Sequence, residues 1–170
     1  FFVAFSSLIG ALVFSKEFTF QIVLISLGVF FLAGGASALN HYQESDLDSK
    51  MIRTKERPIP SGKISEGQAL FLSLIFLFTG SVTLYVYSNF TALILGLTNF
   101  FWYNVFYTPM KRRFALSVVP GALVGALPPI IGFTAVGGSL FDHEILTLGM
   151  FLFIWQIPHF WLLLLIYDDD

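Results

Sequence analysis

The sequence predicts an all-α fold, a polytopic transmembrane bundle of about six helices. Hydrophobic residues make up 56% of the 170 residues and charged residues only 12%, whereas soluble domains contain about 45–50% and about 25%. The charged residues leave five uncharged stretches, at 1–15, 18–43, 67–110, 114–141 and 145–167. Most of these stretches exceed the roughly 20 residues that a helix needs to cross a bilayer. They lack the alternation of a membrane β-barrel, so the pattern excludes both a barrel and an ordinary soluble domain.

The six predicted helices lie near 1–14, 18–40, 67–87, 90–109, 114–137 and 145–167. The uncharged stretch 67–110 holds 44 residues, which as one helix would measure about 66 Å, enough for two crossings of a core about 30 Å thick. We therefore place a break at Tyr87-Ser88-Asn89. Helices are predicted throughout because, in lipid, only a helix satisfies its own backbone polar groups over runs of this length.

The cations predict the orientation of the bundle. Eight of the nine Lys and Arg residues fall in the loops after the second and the fourth predicted helix. These loops share one side of the membrane, which the positive-inside bias assigns to the cytoplasm, or to the matrix in an organelle. We expect a bacterial inner membrane, with the mitochondrial inner membrane as the alternative.

We treat 1–170 as a single membrane-embedded domain. Phe1 begins inside an apolar run without an initiator Met, and Asp170 follows directly on a predicted helix. From these two features we expect both ends to be truncated.

Three polar residues at the end of the second predicted helix follow a spacing of four: Asn40, Glu44 and Asp48. On one helix this spacing gives a stripe, because each step turns only about 40° further around the axis. Two carboxylates and an amide oxygen would then converge. Hard oxygen ligands suit Mg²⁺, which keeps several waters and shares its remaining sites with phosphates. An acidic, solvated helix end is the alternative interpretation of the stripe alone.

Positive charge follows in the same loop, at Lys50, Arg53, Lys55 and Arg57. A site for a metal and a diphosphate needs both signs of charge, because carboxylates hold the metal while Arg and Lys neutralise phosphate oxygens. The same cations also suit a role in topology or in contact with anionic lipid. The segment 57–62 contains two prolines, which favour extended residues before them, and we expect it to form an ordered loop that closes over a site.

Two further predicted helices carry polar residues inside uncharged stretches. On the fourth helix, Asn99, Tyr103, Tyr107 and Lys111 again repeat every four residues. This stripe predicts a face turned into the bundle, although hydrogen bonds between helices or an interfacial anchor would also explain it. On the sixth helix, His159 is expected inside the bundle, where a His is a candidate functional residue. A packing role is the alternative for His159.

Four motifs taken together resemble the UbiA superfamily of intramembrane prenyltransferases. They are Asn40-x3-Glu44-x3-Asp48, the run 51–58, Tyr107-x3-Lys111-Arg112 and Trp155-Gln156-x-Pro158-His159, in the family's order. The resemblance implies a larger protein of about nine spans, all helical as lipid requires. The family pattern is Asn-x3-Asp-x3-Asp, and here Glu44 stands at the first acidic position, with the same charge and one more methylene. A second acidic motif is implied after the sixth helix, where Asp170 falls.

The resemblance also implies roles for individual residues. Mg²⁺ is the implied cofactor, and its implied ligands are Asn40, Glu44, Asp48 and Asp170. The implied diphosphate-binding cations are Arg53, Lys55, Arg57, Lys111 and Arg112. The implied catalytic residues are Asn40, Glu44, Asp48, Tyr107 and Lys111.

Within the superfamily, the motifs are most similar to the branch that transfers a farnesyl group from farnesyl diphosphate to a vinyl group of haem b. Loss of diphosphate would leave an allylic cation, which the vinyl group attacks, and water completes the product. His159 is the implied contact to haem. Aromatic faces stabilise such a cation by about 0.5–2 kcal/mol each, and the candidates are Trp102, Tyr103, Phe106 and Tyr107.

Two alternatives to this function remain open at the level of sequence. Transfer to a quinone precursor or to a chlorophyll-like ring would use the same acidic motifs, and only the segment around His159 favours haem. A transporter or channel would also carry intramembrane polar stripes, but it leaves the dense acid and base pairing of 40–57 unexplained. The lipid bilayer is the expected partner of the outer surface, no nucleic acid is expected, and contacts with a haem a synthase or with oxidase assembly factors are left open.

Overall fold

The fold is all-helical, as the sequence predicts. The computed structural model describes residues 1–166, and no strand occurs among them. Its α-helices are α1 Phe2–Ser15, α2 Phe20–Gln43, α3 Ser45–Asp48, α4 Glu66–Tyr87, α5 Phe90–Phe101, α6 Thr108–Lys111, α7 Val118–Ala135 and α8 His143–Ile166. A π-helical segment, Trp102–Tyr107, joins α5 to α6, and a short 3₁₀ turn, Ala115–Ser117, precedes α7. The six predicted helices correspond to α1, α2, α4, the run from α5 to α6, α7 and α8.

Within residues 1–166, four helices are long and apolar enough to cross a membrane: α2, α4, α7 and the part His143–Leu162 of α8. With 14 residues, α1 is shorter, since at about 1.5 Å per residue it measures about 21 Å. The fourth predicted crossing is helical from Phe90 to Lys111 but changes its pitch in the π segment. Of the six predicted crossings, four are therefore regular spans, one is the short helix α1 and one is the irregular helix from α5 to α6.

The outer surface of the bundle is apolar. Phe71, Phe78 and Tyr85 lie along one face of α4 and are 66%, 71% and 70% exposed. In a soluble protein such a row would be an exposed patch in need of a partner, whereas in a bilayer it contacts lipid. The other side of α4 packs along α2, so α4 is a peripheral helix.

The break between α4 and α5 lies where the sequence predicts it. α4 ends at Tyr87, and the Asn89 side chain caps α5 by accepting a hydrogen bond from the Ala92 amide at 3.0 Å. The same side chain donates to the carbonyl of Thr134 on α7 at 2.5 Å. Asn89 thus satisfies a free amide at the helix start and ties α5 to a third helix.

Helix α7 packs against α1, α5 and α8, while α2 packs along α4 and also contacts α1. The backbones of α1 and α7 touch, because a Cβ on Gly132 would lie only 1.8 Å from the carbonyl oxygen of Ser7. Small residues allow this approach in membrane bundles, where close packing rather than the hydrophobic effect joins helices. The hydrophobic core includes Ile25 and Leu32 of α2 together with Ile131 of α7.

Residues 49–65 form a series of turns between α3 and α4. The proline-containing part is not helical, as expected. Gly62 has a left-handed backbone conformation with φ 73°, and the Ile64 amide donates to the Pro58 carbonyl at 3.1 Å. The loop therefore folds back on itself before α4 begins.

Candidate functional site

Buried polar residues and partly exposed cations gather at the end of the bundle, where α2 continues into α3 and the end of α6 lies beside it. We call this group the charged cluster, and it consists of Asn40, Glu44, Asp48, Arg57, Thr108, Lys111 and Arg112. Its two carboxylates are almost inaccessible to solvent, with Glu44 4% and Asp48 3% exposed. Burial of a carboxylate is unfavourable unless opposite charge and hydrogen bonds compensate it, so the partners of these two residues define the site.

Glu44 is neutralised by cations at the end of α6. Its Oε2 lies 2.5 Å from Nζ of Lys111, and its Oε1 lies 3.7 Å from Nε of Arg112. Oε2 also accepts a hydrogen bond from Nδ2 of Asn40 at 2.9 Å. Arg112 donates in addition to the backbone carbonyl of Gln43. These contacts join the end of α2 to the end of α6.

Asp48 has a partner from its own loop instead. Nη1 of Arg57 donates to both carboxylate oxygens, at 3.0 and 2.8 Å. The backbone carbonyl of Asp48 accepts a hydrogen bond from Oγ1 of the buried Thr54 at 3.2 Å. These contacts hold the loop 49–65 against α3.

The predicted acidic stripe is divided between two helices. α2 ends at Gln43, Glu44 has a non-helical conformation with φ −111°, and α3 begins at Ser45. The Asp48 amide still donates to the Glu44 carbonyl at 2.8 Å, so the two acidic residues lie one turn apart. Asn40 and Glu44 contact each other directly, whereas the two carboxylates bind different cations.

The structure brings part of the second stripe to the charged cluster. The rings of Tyr103 and Tyr107 stack with centroids 5.6 Å apart, and Nζ of Lys111 lies 5.9 Å from the centroid of the Tyr107 ring. Asn99 is engaged elsewhere, because its Nδ2 donates to the carbonyl of Val124 on α7 at 3.1 Å. The π segment changes the helical pitch after Asn99, which a constant spacing of four does not anticipate.

Three other residues of the predicted site are exposed in the described chain. Arg53 and Lys55 are exposed in the loop 49–65. His159 is exposed on α8, where its ring stacks on that of Trp155 with centroids 4.9 Å apart. Its location inside the bundle stays a prediction, since the exposure refers to residues 1–166 alone. The fourth predicted metal ligand, Asp170, lies outside the described residues.

A close contact with α7 fixes the rotation of α8. A Cβ on Gly125 of α7 would lie 1.6 Å from Nε2 of Gln156, so Gln156 occupies the space that a side chain at position 125 would fill. The contact between α7 and α8 therefore turns Gln156 toward the bundle. Trp155 and His159 lie one turn apart on α8 and are both exposed.

A cavity of about 240 Å³ lies inside the bundle. Its mostly apolar walls include Val29, Leu32, Gly96, Val124 and Ile131. Tyr103 also lines the cavity, so the stacked tyrosines connect it with the charged cluster. On α2, Ala36 lines the cavity one turn before Asn40, which is about 6 Å along the axis.

The oxygen donors of the charged cluster fit Mg²⁺ by their chemistry. Mg²⁺ takes one or two carboxylates, keeps several waters and binds substrate phosphates, and Glu44, Asp48 and Asn40 supply donors of this type. Within residues 1–166, no three His, Cys, Asp or Glu side chains converge as a metal site. Each carboxylate is held by a cation, so a metal would have to share it with Lys111 or Arg57, or replace that cation.

Sequence reasoning missed two buried residues that organise the site. Thr108 is 2% exposed, and its Oγ1 accepts a hydrogen bond from Nδ2 of Asn40 at 3.1 Å. Asn104 is 1% exposed, and its backbone carbonyl accepts one from Nε2 of Gln43 at 3.3 Å. Asn104 and Thr108 are themselves four residues apart, directly beside the tyrosine pair, and this spacing was the signal available in the sequence.

The fold and the charged cluster together define a class of protein. Long apolar helices surround an apolar cavity, and buried carboxylates with cationic partners lie beside it. These are the features of a membrane-embedded helical protein with a pocket between its helices. The chain belongs to the UbiA prenyltransferase family, whose family model matches residues 2–170.

Curated relatives share a common name. The chain is 39% identical over 160 residues to the protoheme IX farnesyltransferase of Nitratidesulfovibrio vulgaris strain DP4, a match that covers 94% of this chain and 56% of the relative. It is 44% identical over 143 residues to the protoheme IX farnesyltransferase of Geobacter sulfurreducens, covering 84% of this chain and 53% of the relative. The chain thus spans about half the length of these curated relatives.

Solved structures show the same fold. A UbiA homologue from Aeropyrum pernix K1, solved in its apo form, aligns with a TM-score of 0.75 at 22% identity, over 92% of this chain and 59% of that one. A structure of digeranylgeranylglyceryl phosphate synthase aligns with a TM-score of 0.79 at 22% identity, over 92% and 55%. The predicted helical bundle of the UbiA type is confirmed.

Proposed function

We propose that the protein transfers the farnesyl group of farnesyl diphosphate to a vinyl group of protohaem IX and so makes haem o. The observation that carries the proposal is the position of the charged cluster beside the apolar cavity. Paired cations and carboxylates suit a diphosphate with Mg²⁺, and the cavity suits a prenyl chain. The relatives' common name supports farnesyl as the donor group and haem as the acceptor.

The diphosphate would bind where the three ion pairs of the cluster lie, Arg57–Asp48, Lys111–Glu44 and Arg112–Glu44. The side chains of Lys111 and Arg57 are 33% and 28% exposed, so both reach the surface while their carboxylate partners are buried. A diphosphate would offer these cations oxygens in place of the carboxylates, and a guanidinium binds phosphate in a fork. Glu44 and Asp48, with Asn40, would then be free to ligate Mg²⁺. When bound there, Mg²⁺ acts as a Lewis acid on the leaving diphosphate.

The prenyl chain would extend from the cluster into the cavity past the stacked tyrosines. Tyr103 lines the cavity, and its ring stacks on that of Tyr107. The faces of these rings would stabilise the allylic cation by about 0.5–2 kcal/mol each. The other two aromatic candidates fit less well, because Nε1 of Trp102 donates to the Pro120 carbonyl at 2.9 Å and Phe106 is 52% exposed.

The transfer balances without a redox reagent. The C–O bond of the allylic diphosphate breaks, and the electron pair leaves with the diphosphate. A haem vinyl carbon then attacks the allylic cation and forms the new C–C bond. Water adds to the carbocation formed beside the macrocycle and loses a proton, which gives the hydroxyethylfarnesyl group. His159 is proposed as the haem contact, with haem at the outer face of α8 beside Trp155.

Two further observations support the proposed orientation and the proposed class of protein. Family membership supports an enzyme over a transporter or channel. The charged cluster lies with the two loops that hold eight of the nine Lys and Arg residues, and the positive-inside bias assigns these loops to the cytoplasm. We therefore propose that farnesyl diphosphate enters from the cytoplasmic face.

The test is a reaction of the full-length protein in lipid nanodiscs with farnesyl diphosphate and Mg²⁺. Parallel reactions contain haem b, a quinone precursor or no acceptor, and the products are identified by mass spectrometry. We expect hydroxyethylfarnesyl haem in the first reaction alone, and its formation to cease when EDTA removes the divalent metal. If the second reaction instead gave a prenylated quinone precursor, the acceptor would be the quinone precursor and not haem.

Lys111→Met provides the matched control for the chemistry. It removes the cation closest to Glu44 and leaves the apolar cavity unchanged, because Lys111 does not line it. The variant should bind the prenyl chain but lose most of the turnover. If wild type and variant gave no prenylated product with any acceptor, the proposed function would be wrong.

A further inference from the structure

Thr108 opens α6 directly after the π segment, and its side chain has two hydrogen-bond partners. Its Oγ1 donates to the carbonyl of Tyr103 at 2.9 Å and accepts from Nδ2 of Asn40 at 3.1 Å. The backbone amide of Thr108 bonds to the same Tyr103 carbonyl. A hydroxyl has a single hydrogen, so its bond to Tyr103 leaves only lone pairs to face Asn40.

The amide of Asn40 is fixed from two sides. Its Nδ2 has two hydrogens, which go to Oγ1 of Thr108 and to Oε2 of Glu44, the latter at 2.9 Å. A reversed amide would place Oδ1 against the Glu44 carboxylate, acceptor against acceptor, and would meet only lone pairs on Thr108. Oδ1 of Asn40 must therefore point away from both residues.

The π segment brings Thr108 to this position. In a regular α-helix the amide of Thr108 would bond to the carbonyl of Asn104, whereas here it bonds one residue further back, to Tyr103. The carbonyl of Asn104 is left for Nε2 of Gln43 on α2, which donates to it at 3.3 Å. The irregular turn thus supplies two links to the end of α2.

Water does not compete for these contacts. Asn40 and Glu44 are 4% exposed and Thr108 is 2% exposed. Hydrogen bonds in such an environment are stronger than at the surface, and a missing partner leaves a buried group unsatisfied. The orientation of the Asn40 amide therefore depends on the Thr108 hydroxyl.

We propose that Thr108 is a positioning residue of the metal and diphosphate site, an inference that rests on the proposed function. Its hydroxyl sets the orientation of the Asn40 amide and, through it, that of the Glu44 carboxylate. Thr108 acts through Asn40 and does not itself ligate the metal. Loss of a partner that orients a metal ligand typically lowers metal affinity by about 10–100-fold.

The experiment measures metal binding separately from turnover. The full-length protein in nanodiscs is saturated with a thiodiphosphate analogue of farnesyl diphosphate and titrated with Mn²⁺, whose free-ion EPR signal reports the unbound fraction. Thr108→Val removes the hydroxyl at nearly constant volume. We expect its Mn²⁺ affinity to fall about 10–100-fold, and its turnover to require more Mg²⁺ while kcat at saturating Mg²⁺ stays close to wild type.

Three matched variants separate positioning from packing. Thr108→Ser keeps the hydroxyl and should bind Mn²⁺ like wild type, whereas Thr108→Cys has a thiol that accepts hydrogen bonds only weakly and should lose affinity. Thr134→Val removes a hydroxyl from a residue that is also 2% exposed, and this hydroxyl donates only to carbonyls of its own helix, at 2.9 and 3.1 Å. Thr134→Val should retain wild-type Mn²⁺ affinity.

A double variant tests whether Thr108 acts through Asn40. Asn40→Ala alone should lose Mn²⁺ affinity, and adding Thr108→Val should cause no further loss, because the group that Thr108 orients is already absent. Losses that add in the double variant would overturn the inference.

Several other outcomes would also overturn it. The first is a wild-type Mn²⁺ affinity in both Thr108→Val and Thr108→Cys. The second is a loss of Mn²⁺ affinity in Thr108→Ser equal to that in Thr108→Val. The third is the same loss of Mn²⁺ affinity in Thr134→Val. If Thr108→Val does not fold, the serine and cysteine variants decide by the same criteria.

Two carboxylate variants separate this inference from the proposed function. If Glu44→Gln and Asp48→Asn lose Mn²⁺ affinity while the Thr108 variants do not, only the role of Thr108 fails. If those carboxylate variants bind Mn²⁺ like wild type, the proposed site fails together with the inference.

Discussion

The two carboxylates of the charged cluster are held in different ways. Glu44 pairs with Lys111 and Arg112, which reach it from another helix. Asp48 pairs with Arg57 in the loop that follows it. The half of the site around Glu44 therefore exists only when the bundle has assembled, whereas the half around Asp48 depends on local contacts. We expect both halves to be needed for catalysis, but only the first to be important for the stability of the bundle.

The largest expected effect is on catalysis, where the two halves should be equivalent. Asp48→Asn and Glu44→Gln should each lower turnover by about 100-fold or more, because Lewis-acid catalysis supplies several kcal/mol and each 1.4 kcal/mol is about tenfold. An amide cannot supply the charge that holds the metal. Turnover in nanodiscs at limiting Mg²⁺ measures the effect.

Asp46→Asn is the matched control for these two substitutions. Asp46 belongs to the same short helix as Asp48 but is exposed. It should keep wild-type turnover. Full activity of Asp48→Asn at limiting Mg²⁺ would remove Asp48 from the site.

The next effect should distinguish the two halves by stability. Lys111→Met leaves Glu44 buried with only Arg112 as a cation, at 3.7 Å. Breaking a fully buried pair costs about 3–5 kcal/mol, and we expect about 1–3 kcal/mol here because one third of the Lys111 side chain is exposed and screened by solvent. Thermal or denaturant unfolding in detergent measures the loss.

A second substitution tests the cause of this destabilisation. When Lys111→Met is combined with Glu44→Gln, the buried side chain at position 44 no longer carries a charge that needs Lys111. Stability should therefore recover, while turnover stays low. A double variant as unstable as Lys111→Met would show that Lys111 stabilises the bundle by packing rather than by charge.

Arg57→Met should affect the loop rather than the bundle. The free energy of global unfolding should change by less than about 1 kcal/mol, because Arg57 and Asp48 lie in one segment and Asp48 regains water when that segment opens locally. Local opening of the loop 49–65 should increase about fivefold, the factor that corresponds to about 1 kcal/mol. Limited digestion with proteinase K, analysed by mass spectrometry, measures the opening.

Lys55→Met is the control for the loop, since Lys55 is exposed and lies two residues away. It should leave the digestion rate unchanged. A global destabilisation by Arg57→Met as large as that by Lys111→Met would contradict the division into a local and a tertiary half.

The smallest effect is expected outside the cluster, at His159. Since His159 is exposed on α8, His159→Ala should change stability by less than about 0.5 kcal/mol and leave binding of farnesyl diphosphate intact. Binding of haem, measured by its absorbance in nanodiscs, should weaken more than binding of farnesyl diphosphate. Unchanged haem binding would exclude His159 as the haem contact.

Most of the fold was predictable because it depends on local composition. The uncharged stretches gave the six helices, and the polar residues at 87–89 gave the break before α5 that Asn89 caps. The exposure of His159 among residues 1–166 was not predictable, because it depends on how α8 packs against α7, a different helix. The change of pitch in the π segment was equally hidden, since a spacing of four presumes a regular helix.

The sequence by itself determined the membrane environment, the helices and the residue types of the candidate site, because hydropathy and spacing are properties of the chain alone. Tertiary structure decided which charges meet. Glu44 finds Lys111, and Asn40 finds Thr108, only where the ends of α2 and α6 come together. The physical reason is that a buried carboxylate needs a partner within hydrogen-bond reach, and the packing of helices that are distant in the chain sets that distance.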